Sequence, residues 1–438
     1  MSSSNHSRRT SKRGLPNNHL YKPKDETSLL WSLSGTKCDN AEDKYRLLEK
    51  RDELIRSYLY KNCANSETEI IKGSLESMCS EKEVYLRIWE RQICSYEMDD
   101  NKIVDVNKMI KKYRRSAADQ KKPLPHEVRT ISCLVSTINY LMNDVKPFKN
   151  KKDLARWYNF LWDRTRSIRK DLMQQDIINE EALYIYEVCA RFHIYMFHYL
   201  ENLSIDEFDP YLNNEQLMQC FISIFICYEY LNSKALENCN YIEFRCYEIA
   251  INLNKSNVLS KLANEESDIL NSKEYRQMVR LVQEFKFGNY AKFFQIYKEF
   301  TNPLLICLVD RHIPFIRCNA IKTIKIAYNN TRLPVEYLSK VLAIEKIEEM
   351  KEFGIKNGLK LDENDCDVFL IRNDSLTKLE PIKISNQKLN KMFNLSLPTI
   401  VGILKNKVRN DLFPVTQSFD KSGRYVNDPI LRLYLNEA

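Results

Sequence analysis

Nine lysines and arginines form a pattern suited to the neutralisation of phosphate groups. Between Lys102 and Lys170 the chain carries 18 Lys and Arg against 6 Asp and Glu, whereas the whole chain has a net charge of only +8. Each phosphate that a cation neutralises releases counterions and adds affinity that weakens with salt. The sequence therefore predicts a surface for an anionic partner, RNA above all, with these candidate residues: Lys111, Lys112, Arg114, Arg115, Lys121, Lys122, Arg156, Arg166 and Lys170.

Each of these cations also has a structural interpretation. Arg156, Arg166 and Lys170 lie on the polar face of a predicted helix, where they could instead pair with acidic residues of the neighbouring helix. The segment 111–122 precedes a joint formed by Pro123 and Pro125, which we expect to be exposed, so a solvated run of charge is the alternative there. Arg164 and Arg169 flank the apolar face of the same helix, and we expect them to make structural salt bridges.

Catalytic and metal-binding patterns are absent from the sequence. His193 and His198 are five positions apart, so they diverge by about 140° on a helix and cannot chelate one ion together. The 13 cysteines include no C-x-x-C pair, and we expect buried thiols rather than a zinc site. Phosphate-binding loops, kinase motifs and serine-hydrolase motifs are also missing. We therefore expect no enzyme activity, no cofactor and no metal.

Helices must position the basic residues. The chain has only 8 glycines, and apolar residues recur at three-to-four spacing from Glu42 onwards. Periodicity predicts helices over 127–141, 153–175 and 181–200, followed from about residue 213 by helix pairs of roughly 35 to 40 residues, as in an α-solenoid. Trp157 and Trp162 could stack on bases, but their helical spacing favours a place in the core.

The pattern changes near Leu333. Two short helices are followed by the strand-like segment DVFLIR, with PIKIS as a candidate second strand, which is typical of a winged helix. The predicted second helix, 347–357, mixes acidic and basic residues, whereas a helix that reads DNA is basic on its exposed face. This mixture favours protein pairing, and the candidate partner interface comprises Leu338, Leu342, Glu348, Lys351 and Glu352.

The predicted fold class is thus all-α with a small β-wing, an α-solenoid of helix pairs capped by a winged helix. We expect no membrane partner, since the longest apolar run, Phe221 to Cys227, is too short to span a bilayer and the basic N-terminus lacks a signal-peptide core. The predicted parts are a disordered basic leader (1–40), a leading helix (41–72), a helical solenoid (73–330), a winged-helix subdomain (331–385) and a tail with one helix (386–438).

The order of several sequence blocks resembles the Sac/GANP family. The blocks are GSLESMCSEKEVYLRIWERQICSYE, KKYRRSAADQKKPLPHEVR, WYNFLWDRTRSIRKDLMQQ, FDPYLNNEQL, YIEFRCYEIAI and GNYAKFF, and together they cover about residues 70–380. The first block departs from the family pattern, because Ser80 stands where a proline usually follows the cysteine. The third block is the most specific. Neither Phe-Gly repeats nor a long centrin-binding helix are evident, so the chain resembles a short member reduced to the core domain.

This resemblance implies a PCI-type scaffold. Such a scaffold pairs through its winged helix with a second PCI-domain subunit, which a small acidic peptide commonly accompanies, and the joined domains offer a basic surface to RNA. The family implies a role in nuclear mRNA export coupled to transcription, with a location in the nucleus or at the nuclear envelope and pore. The alternative is a centrosome- or spindle-associated interaction protein in centrosome duplication and mitotic progression, located at those structures and in the cytoplasm.

Overall fold

The computed structural model describes residues 26–62, 70–116, 121–147, 151–231, 240–263, 265, 267–362, 367–371, 379, 381–384, 389, 395–403, 414–426 and 428–431. These residues are mostly helical and include one small sheet, which confirms the predicted fold class. The helices are α1 (Glu26–Trp31), α2 (Ala41–Asn62), α3 (Glu81–Trp89), α4 (Ile131–Asn143), α5 (Lys151–Gln174), α6 (Glu180–Tyr199), α7 (Pro210–Leu231), α8 (Tyr241–Ile251), α9 (Val258–Ala263), α10 (Ser267–Asn271), α11 (Lys273–Lys286), α12 (Tyr290–Glu299), α13 (Pro303–Asp310), α14 (Ile313–Ala327), α15 (Val335–Val341), α16 (Ile347–Lys356) and α17 (Leu397–Val401). The strands are β1 (Arg332–Pro334), β2 (Lys360–Leu361) and β3 (Val368–Leu370).

The chain divides into two compact units, of which the first contains residues 1–69, 81–92 and 416–438. In this unit α1 and α3 both pack on α2. A buried ion-pair cluster adds to the apolar contacts, because Arg51 lies 2.7 Å from Asp52 and 2.7 Å from Asp428. The carboxylate of Glu81, on α3, accepts a hydrogen bond of 2.9 Å from the backbone N–H of Ser418. Polar groups therefore join the C-terminal segment to the helices of this unit.

The second unit contains residues 70–80 and 93–415 and includes the helical solenoid. Helix α6 is buried on nearly all sides, and it packs against α4, α5, α7, α13 and α17. Its sequence explains this central position, since Ile185, Val188, Phe192 and Met196 are all fully buried. The next layers are formed by α8 with α11 and α13, and by α11 with α12.

The winged helix follows α14 in the same unit. Its three strands form an antiparallel sheet in the order β1-β3-β2, with Leu333 opposite Phe369 and Lys360 opposite Leu370. Helices α15 and α16 pack together beside the sheet. A Cβ atom at Gly354 would lie 2.5 Å from the ring of Phe369, so the close approach of α16 to β3 depends on a glycine at this position.

Several predicted boundaries need correction. Residues 1–25 of the expected disordered leader lie outside the described residues, but α1 begins at Glu26 and Lys37 forms a backbone bridge with Arg424. The leading helix is described as far as Asn62, and residues 70–72 are not helical. Helix α3, predicted as part of the solenoid, belongs to the first unit. The described residues 381–384, from the candidate strand PIKIS, are not in a strand.

The predicted tail also differs from the expectation of one helix. Within its described residues, α17 has five residues, and a turn follows in which Phe419 bridges Tyr425. Pro398 stands in the first turn of α17, and Gly402 ends the helix in the left-handed conformation with φ of 77°. These two residues limit the helix for local reasons. Among the described residues, no helix is long and apolar enough to cross a membrane.

Candidate nucleic-acid interface

Helix α5 carries the residues around which the candidate site is built. Its inward face buries Leu161, Ile168 and Leu172 completely or nearly so. Asp153 stands in its first turn, where a negative charge complements the helix dipole. The helical repeat places Asp163, Arg166 and Lys170 along an adjoining face. The two tryptophans behave as core residues, since Trp157 is buried and Trp162 is half-buried beside the core.

An extended segment, residues 111–116, lies along this adjoining face of α5; we name it the basic strap. The backbone N–H of Tyr113 donates to Asp163 Oδ2 at 3.1 Å. Lys170 Nζ donates to the carbonyl oxygen of Arg114 at 2.6 Å. The guanidinium of Arg166 stacks over the Tyr113 ring, 4.1 Å from its centroid. These three contacts hold the strap while the side chains of Lys112, Arg114 and Arg115 remain exposed.

A buried charge cluster anchors the start of the basic strap. Asp171 is 1% exposed and accepts from Arg129 Nε at 2.8 Å and from Lys111 Nζ at 2.7 Å. Arg129 is itself fully buried, and it also donates to Ser167 Oγ at 2.9 Å. Burial alone would raise the pKa of Asp171, but the charges of Arg129 and Lys111 outweigh it and hold the pKa below its usual value.

Arg129 and Asp171 were not among the predicted site residues. The available signal was their place in two separate blocks of the family resemblance, PLPHEVR and RSIRKD. Lys111 was predicted to contact nucleic acid, and that interpretation is corrected. Its ammonium group instead donates to the carboxylate of Asp171 and, at 2.6 Å, to the carbonyl oxygen of Glu127. Lys111 therefore serves to fix the strap.

The block that begins at Gly73 meets the other two at the end of α5. Gln175 accepts a hydrogen bond of 2.8 Å from the N–H of Gly73 and donates to the carbonyl oxygen of Arg129 at 2.9 Å. A Cβ atom on Gly73 would lie 2.6 Å from the Gln175 side chain and from the Val128 carbonyl oxygen. Only glycine allows this approach without a shift of neighbouring atoms. Leu75, two residues on, pairs with Arg129 in a parallel bridge.

A cleft of about 600 Å³ opens beside the basic strap, between α5, α6 and α7. Its lining includes three cations, Arg166, Arg169 and Lys170, and no carboxylate stands among the described residues that line it. Burial, together with the charges of Lys111 and Arg114, lowers the pKa of Lys170, and Asp171 offsets only part of this effect. The cleft is therefore electropositive and suited to an anion.

The other predicted cations are placed as follows. Lys121 and Lys122 are exposed beyond the gap at residues 117–120, which lie outside the described residues. The Arg156 side chain is 79% exposed, and its guanidinium lies 4.0 Å from the carboxylate of Asp153. Arg156 lies in the second turn of α5, whereas the strap contacts begin at Asp163. The structure therefore brings Arg166 and Lys170 together with the strap and leaves Arg156 towards the other end of the helix.

The two arginines expected to be structural differ from each other. Arg164 is buried and pairs with Glu97 at 3.1 Å and with the adjacent Asp163. Arg169 is 6% exposed and donates to the amide oxygen of Gln216 at 2.8 Å. No carboxylate among the described residues lies within ion-pair distance of Arg169, so the expectation of a salt bridge was wrong there.

The predicted partner interface divides into buried and exposed residues. Leu338 and Leu342 are 1% and 0% exposed, so they belong to the core of the winged helix, and their assignment to a contact surface is corrected. Glu348 and Glu352 are exposed on α16, and Lys351 pairs with Asp367 at 2.8 Å. Exposed Ile355 follows Glu348 and Glu352 at helical spacing. The accessible part of the predicted interface is this outer face of α16.

No group of three or more His, Cys, Asp or Glu side chains in the described part of the chain could hold a metal ion. His193 is fully buried, and desolvation with the nearby charge of Arg169 lowers its pKa to about 3. Its Nδ1 lies 2.8 Å from the side-chain oxygen of Asn213. This histidine is a neutral core residue near pH 7.

A model of the SAC3/GANP family matches residues 78–363. "Protein xmas" of Drosophila melanogaster is 30% identical over 336 residues, which cover 74% of this chain and 16% of the relative. "SAC3 family protein B" of Arabidopsis thaliana is 27% identical over 335 residues, 72% of this chain and 19% of the relative. "SAC3 family protein 1" of Schizosaccharomyces pombe is 24% identical over 323 residues, which cover 69% of this chain and 31% of the relative. The matched region thus spans less than a third of each of these relatives. The chain belongs to the SAC3/GANP family.

Proposed function

We propose that this chain is a non-enzymatic scaffold in nuclear mRNA export coupled to transcription, which binds RNA through the basic strap and pairs with a second PCI-type subunit. The observation that carries the RNA-binding part is the attachment of the strap to α5. Asp163 and Lys170 hold the strap backbone, so Lys112, Arg114 and Arg115 point their charges from an ordered segment. A fixed row of cations loses less conformational entropy on binding phosphates than a mobile run does.

The charge balance of the neighbouring surface supports RNA as the ligand. The described lining of the cleft beside the strap adds three cations and no carboxylate, and Tyr113 supplies an aromatic ring at its edge. Cations interleaved with aromatic side chains are the usual composition of single-strand binding surfaces. Arg166 and Lys170 act in this proposal partly through the strap, since both also contact it.

A charge-reversal series tests RNA binding. The test variant carries Lys112→Glu, Arg114→Glu and Arg115→Glu, and its affinity for a single-stranded RNA is measured at several salt concentrations. Each phosphate contact contributes about 0.7 to the slope of log affinity against log salt for single strands, so the loss of three contacts lowers the slope by about 2. A matched control reverses three exposed cations of α11: Lys273, Arg276 and Arg280.

The control separates a local site from an effect of net charge. The two variants change the charge equally, so equal losses of RNA affinity would mean that total charge alone matters and that the strap is not the binding site. An unchanged affinity of the strap variant would refute the RNA assignment directly. Circular dichroism of both variants checks that their helices remain folded.

The outer face of α16 is the proposed surface for the second PCI-type subunit, which a small acidic peptide accompanies. Ile355 is 54% exposed, and Glu348 and Glu352 flank it with charges that would select a complementary partner. Burial of the exposed half of this isoleucine in an interface contributes about 1 to 1.5 kcal/mol. Charged substitution at this position should therefore release the partner without entering the core.

Tagged protein purified from nuclease-treated lysate, with mass spectrometry, tests this pairing. The proposal predicts a second PCI-type subunit together with nuclear export factors, and loss of that subunit in Ile355→Asp. Ile326→Asp is the matched control, because Ile326 is 68% exposed on α14. Recovery of centrosomal or spindle proteins without a PCI-type subunit would instead favour the centrosome- or spindle-associated role and contradict the export scaffold.

A further inference from the structure

Arg169 is a buried cation without a counter-charge at the base of the cleft between α5, α6 and α7. Its side chain is 6% exposed. The Gln216 amide oxygen accepts from one terminal nitrogen at 2.8 Å, but the Nε–H group has no acceptor among the described residues. Taking a guanidinium out of water is unfavourable unless a negative group compensates the charge. The protein supplies no carboxylate in the described part of the cleft, so an anion from outside would complete the site.

The cleft places two further cations above Arg169. Arg166 stacks over Tyr113 and over Trp162, 4.1 Å and 4.8 Å from the ring centroids, which fixes the plane of its guanidinium and leaves hydrogen-bond donors at the edge. Lys170 is tied to the strap backbone by one of its three protons. Two guanidinium groups and one ammonium around a single cleft form the donor set that proteins use for phosphate groups.

The rest of the lining suits a ligand larger than phosphate alone. The volume of about 600 Å³ lies within the range of small-ligand sites. Tyr113 offers a ring at the rim, and Gln174 and Gln219 offer amide donors and acceptors. Met173 and Ile222 are 72% and 60% exposed at the mouth. An aromatic ring, amides and apolar side chains around a cationic base match the base and the phosphate of one nucleotide.

We propose that this cleft is a binding site for a 5′-phosphorylated nucleotide, with the phosphate monoester on Arg169, Arg166 and Lys170. The shared chemistry is the terminal phosphate dianion, which a free nucleoside monophosphate and the 5′ end of an RNA both carry. The site differs from the charge contacts of the basic strap, because it distinguishes a terminal phosphate from the internal phosphates of a strand. It also does not require that the strap binds RNA.

The test compares two short RNAs of the same sequence, one with a 5′-phosphate and one with a 5′-hydroxyl, on the full chain. The expected result is at least ten-fold tighter binding of the phosphorylated RNA at constant salt. Adenosine monophosphate and inorganic phosphate are then used as competitors. Displacement by adenosine monophosphate at concentrations similar to those of the phosphorylated RNA identifies a free nucleotide as a sufficient ligand. Displacement that is at least ten-fold weaker identifies the 5′ end of an RNA as the ligand.

Two variants test the location of the site. Gln219→Glu adds a negative charge to the exposed wall of the cleft with little change in shape and should abolish the preference for the 5′-phosphate. Gln283→Glu makes the same change at an exposed position of α11 and should preserve the preference. Arg169→Lys retains the charge but loses the guanidinium, and it should weaken the preference. Thermal melting confirms that each variant is folded.

The outcomes also separate this inference from the proposed function. Equal binding of the two RNAs, with no displacement by adenosine monophosphate, overturns the nucleotide site even if RNA binding itself is strong. An equal loss of the preference in Gln219→Glu and Gln283→Glu places the effect outside the cleft and overturns it too. Binding of adenosine monophosphate that Gln219→Glu abolishes, without binding of either RNA, supports the nucleotide site and contradicts RNA binding by the strap.

Discussion

Replacement of Asp171 by asparagine should destabilise the second compact unit more than any surface change on the same helix. Asp171 compensates two cations, Arg129 at 2.8 Å and Lys111 at 2.7 Å, and both it and Arg129 are almost completely buried. Asparagine has the same shape and retains one acceptor oxygen, but it removes the negative charge. Arg129 would then remain buried and only partly compensated.

The expected magnitude follows from this burial. Removal of one partner of a buried ion pair costs about 3 to 5 kcal/mol, because the remaining charge is left without compensation. The retained acceptor favours the lower end, so we expect about 3 kcal/mol for Asp171→Asn. The matched control is Asp153→Asn in the same helix, where the ion pair with Arg156 spans 4.0 Å and the arginine side chain is 79% exposed. Exposed pairs contribute about 0.2 to 1 kcal/mol.

Hydrogen exchange followed by mass spectrometry measures this effect in one unit at a time. Peptides that cover residues 125–131 and 163–175 should lose protection in Asp171→Asn and keep it in Asp153→Asn. The pH dependence provides a second readout. Because the folded pKa of Asp171 is below its ordinary value, its charge contributes stability above the unfolded pKa of about 3.9, and this stability is lost as pH falls through the folded pKa.

The difference between wild type and Asp171→Asn should therefore shrink in acid. A loss of protection smaller than about 1 kcal/mol near pH 7 would refute the reasoning, since it would mean that Arg129 does not depend on this carboxylate. An equal loss in Asp153→Asn would refute it as well. That result would assign the stability to the charge of the helix rather than to the buried cluster.

Three further predictions concern other parts of the protein. Burial raises the pKa of Glu81 to about 7 although the Ser418 N–H donates to its carboxylate. The stability that protonated Glu81 contributes is present below the unfolded pKa of about 4.5 and is lost as pH rises through 7. Glu81→Gln should therefore increase the hydrogen-exchange protection of the Ser418 amide by up to about 3 kcal/mol at pH 8. Gly354→Ala should lower the thermal midpoint of the winged helix, because the new methyl group meets Phe369 at 2.5 Å and overpacking costs about 1 to 3 kcal/mol. Leu338→Ala should cost about 2 to 5 kcal/mol in urea unfolding as a core truncation, and an unchanged midpoint would return Leu338 to the surface.

The helices were largely predictable from local pattern. The predicted span 153–175 agrees with α5 (Lys151–Gln174), and 181–200 agrees with α6 (Glu180–Tyr199). The predicted start at residue 127 was too early, because residues 125–127 form a 3-10 turn in which the Glu127 carboxylate accepts from the Leu124 N–H at 2.8 Å. Such a bond competes with helix at a proline joint and is invisible to apolar periodicity.

The candidate site was predictable as a surface but not as a set of contacts. Periodicity showed that Arg166 and Lys170 face away from the apolar side of α5. It could not show that the strap covers the polar face on which they lie. Whether a lysine is exposed or forms a buried ion pair depends on a partner far along the chain. For Lys111 that partner, Asp171, is 60 positions away. Burial of Leu338 and Leu342 was likewise a matter of tertiary packing, since short helices give too few turns to identify the inward face.

The contact between Gly73 and Gln175 has a consequence for how the chain can be divided. The segment 73–75 donates backbone hydrogen bonds to Pro125, Val128 and Gln175, across a separation of 102 residues in the last case, and Leu75 accepts one from Thr130. A fragment that begins at residue 78, where the family match begins, would lack this segment and leave those backbone groups without their partners beside the buried Arg129. The packing of the buried Arg129 region thus depends on a few residues that precede the segment matched by the family model.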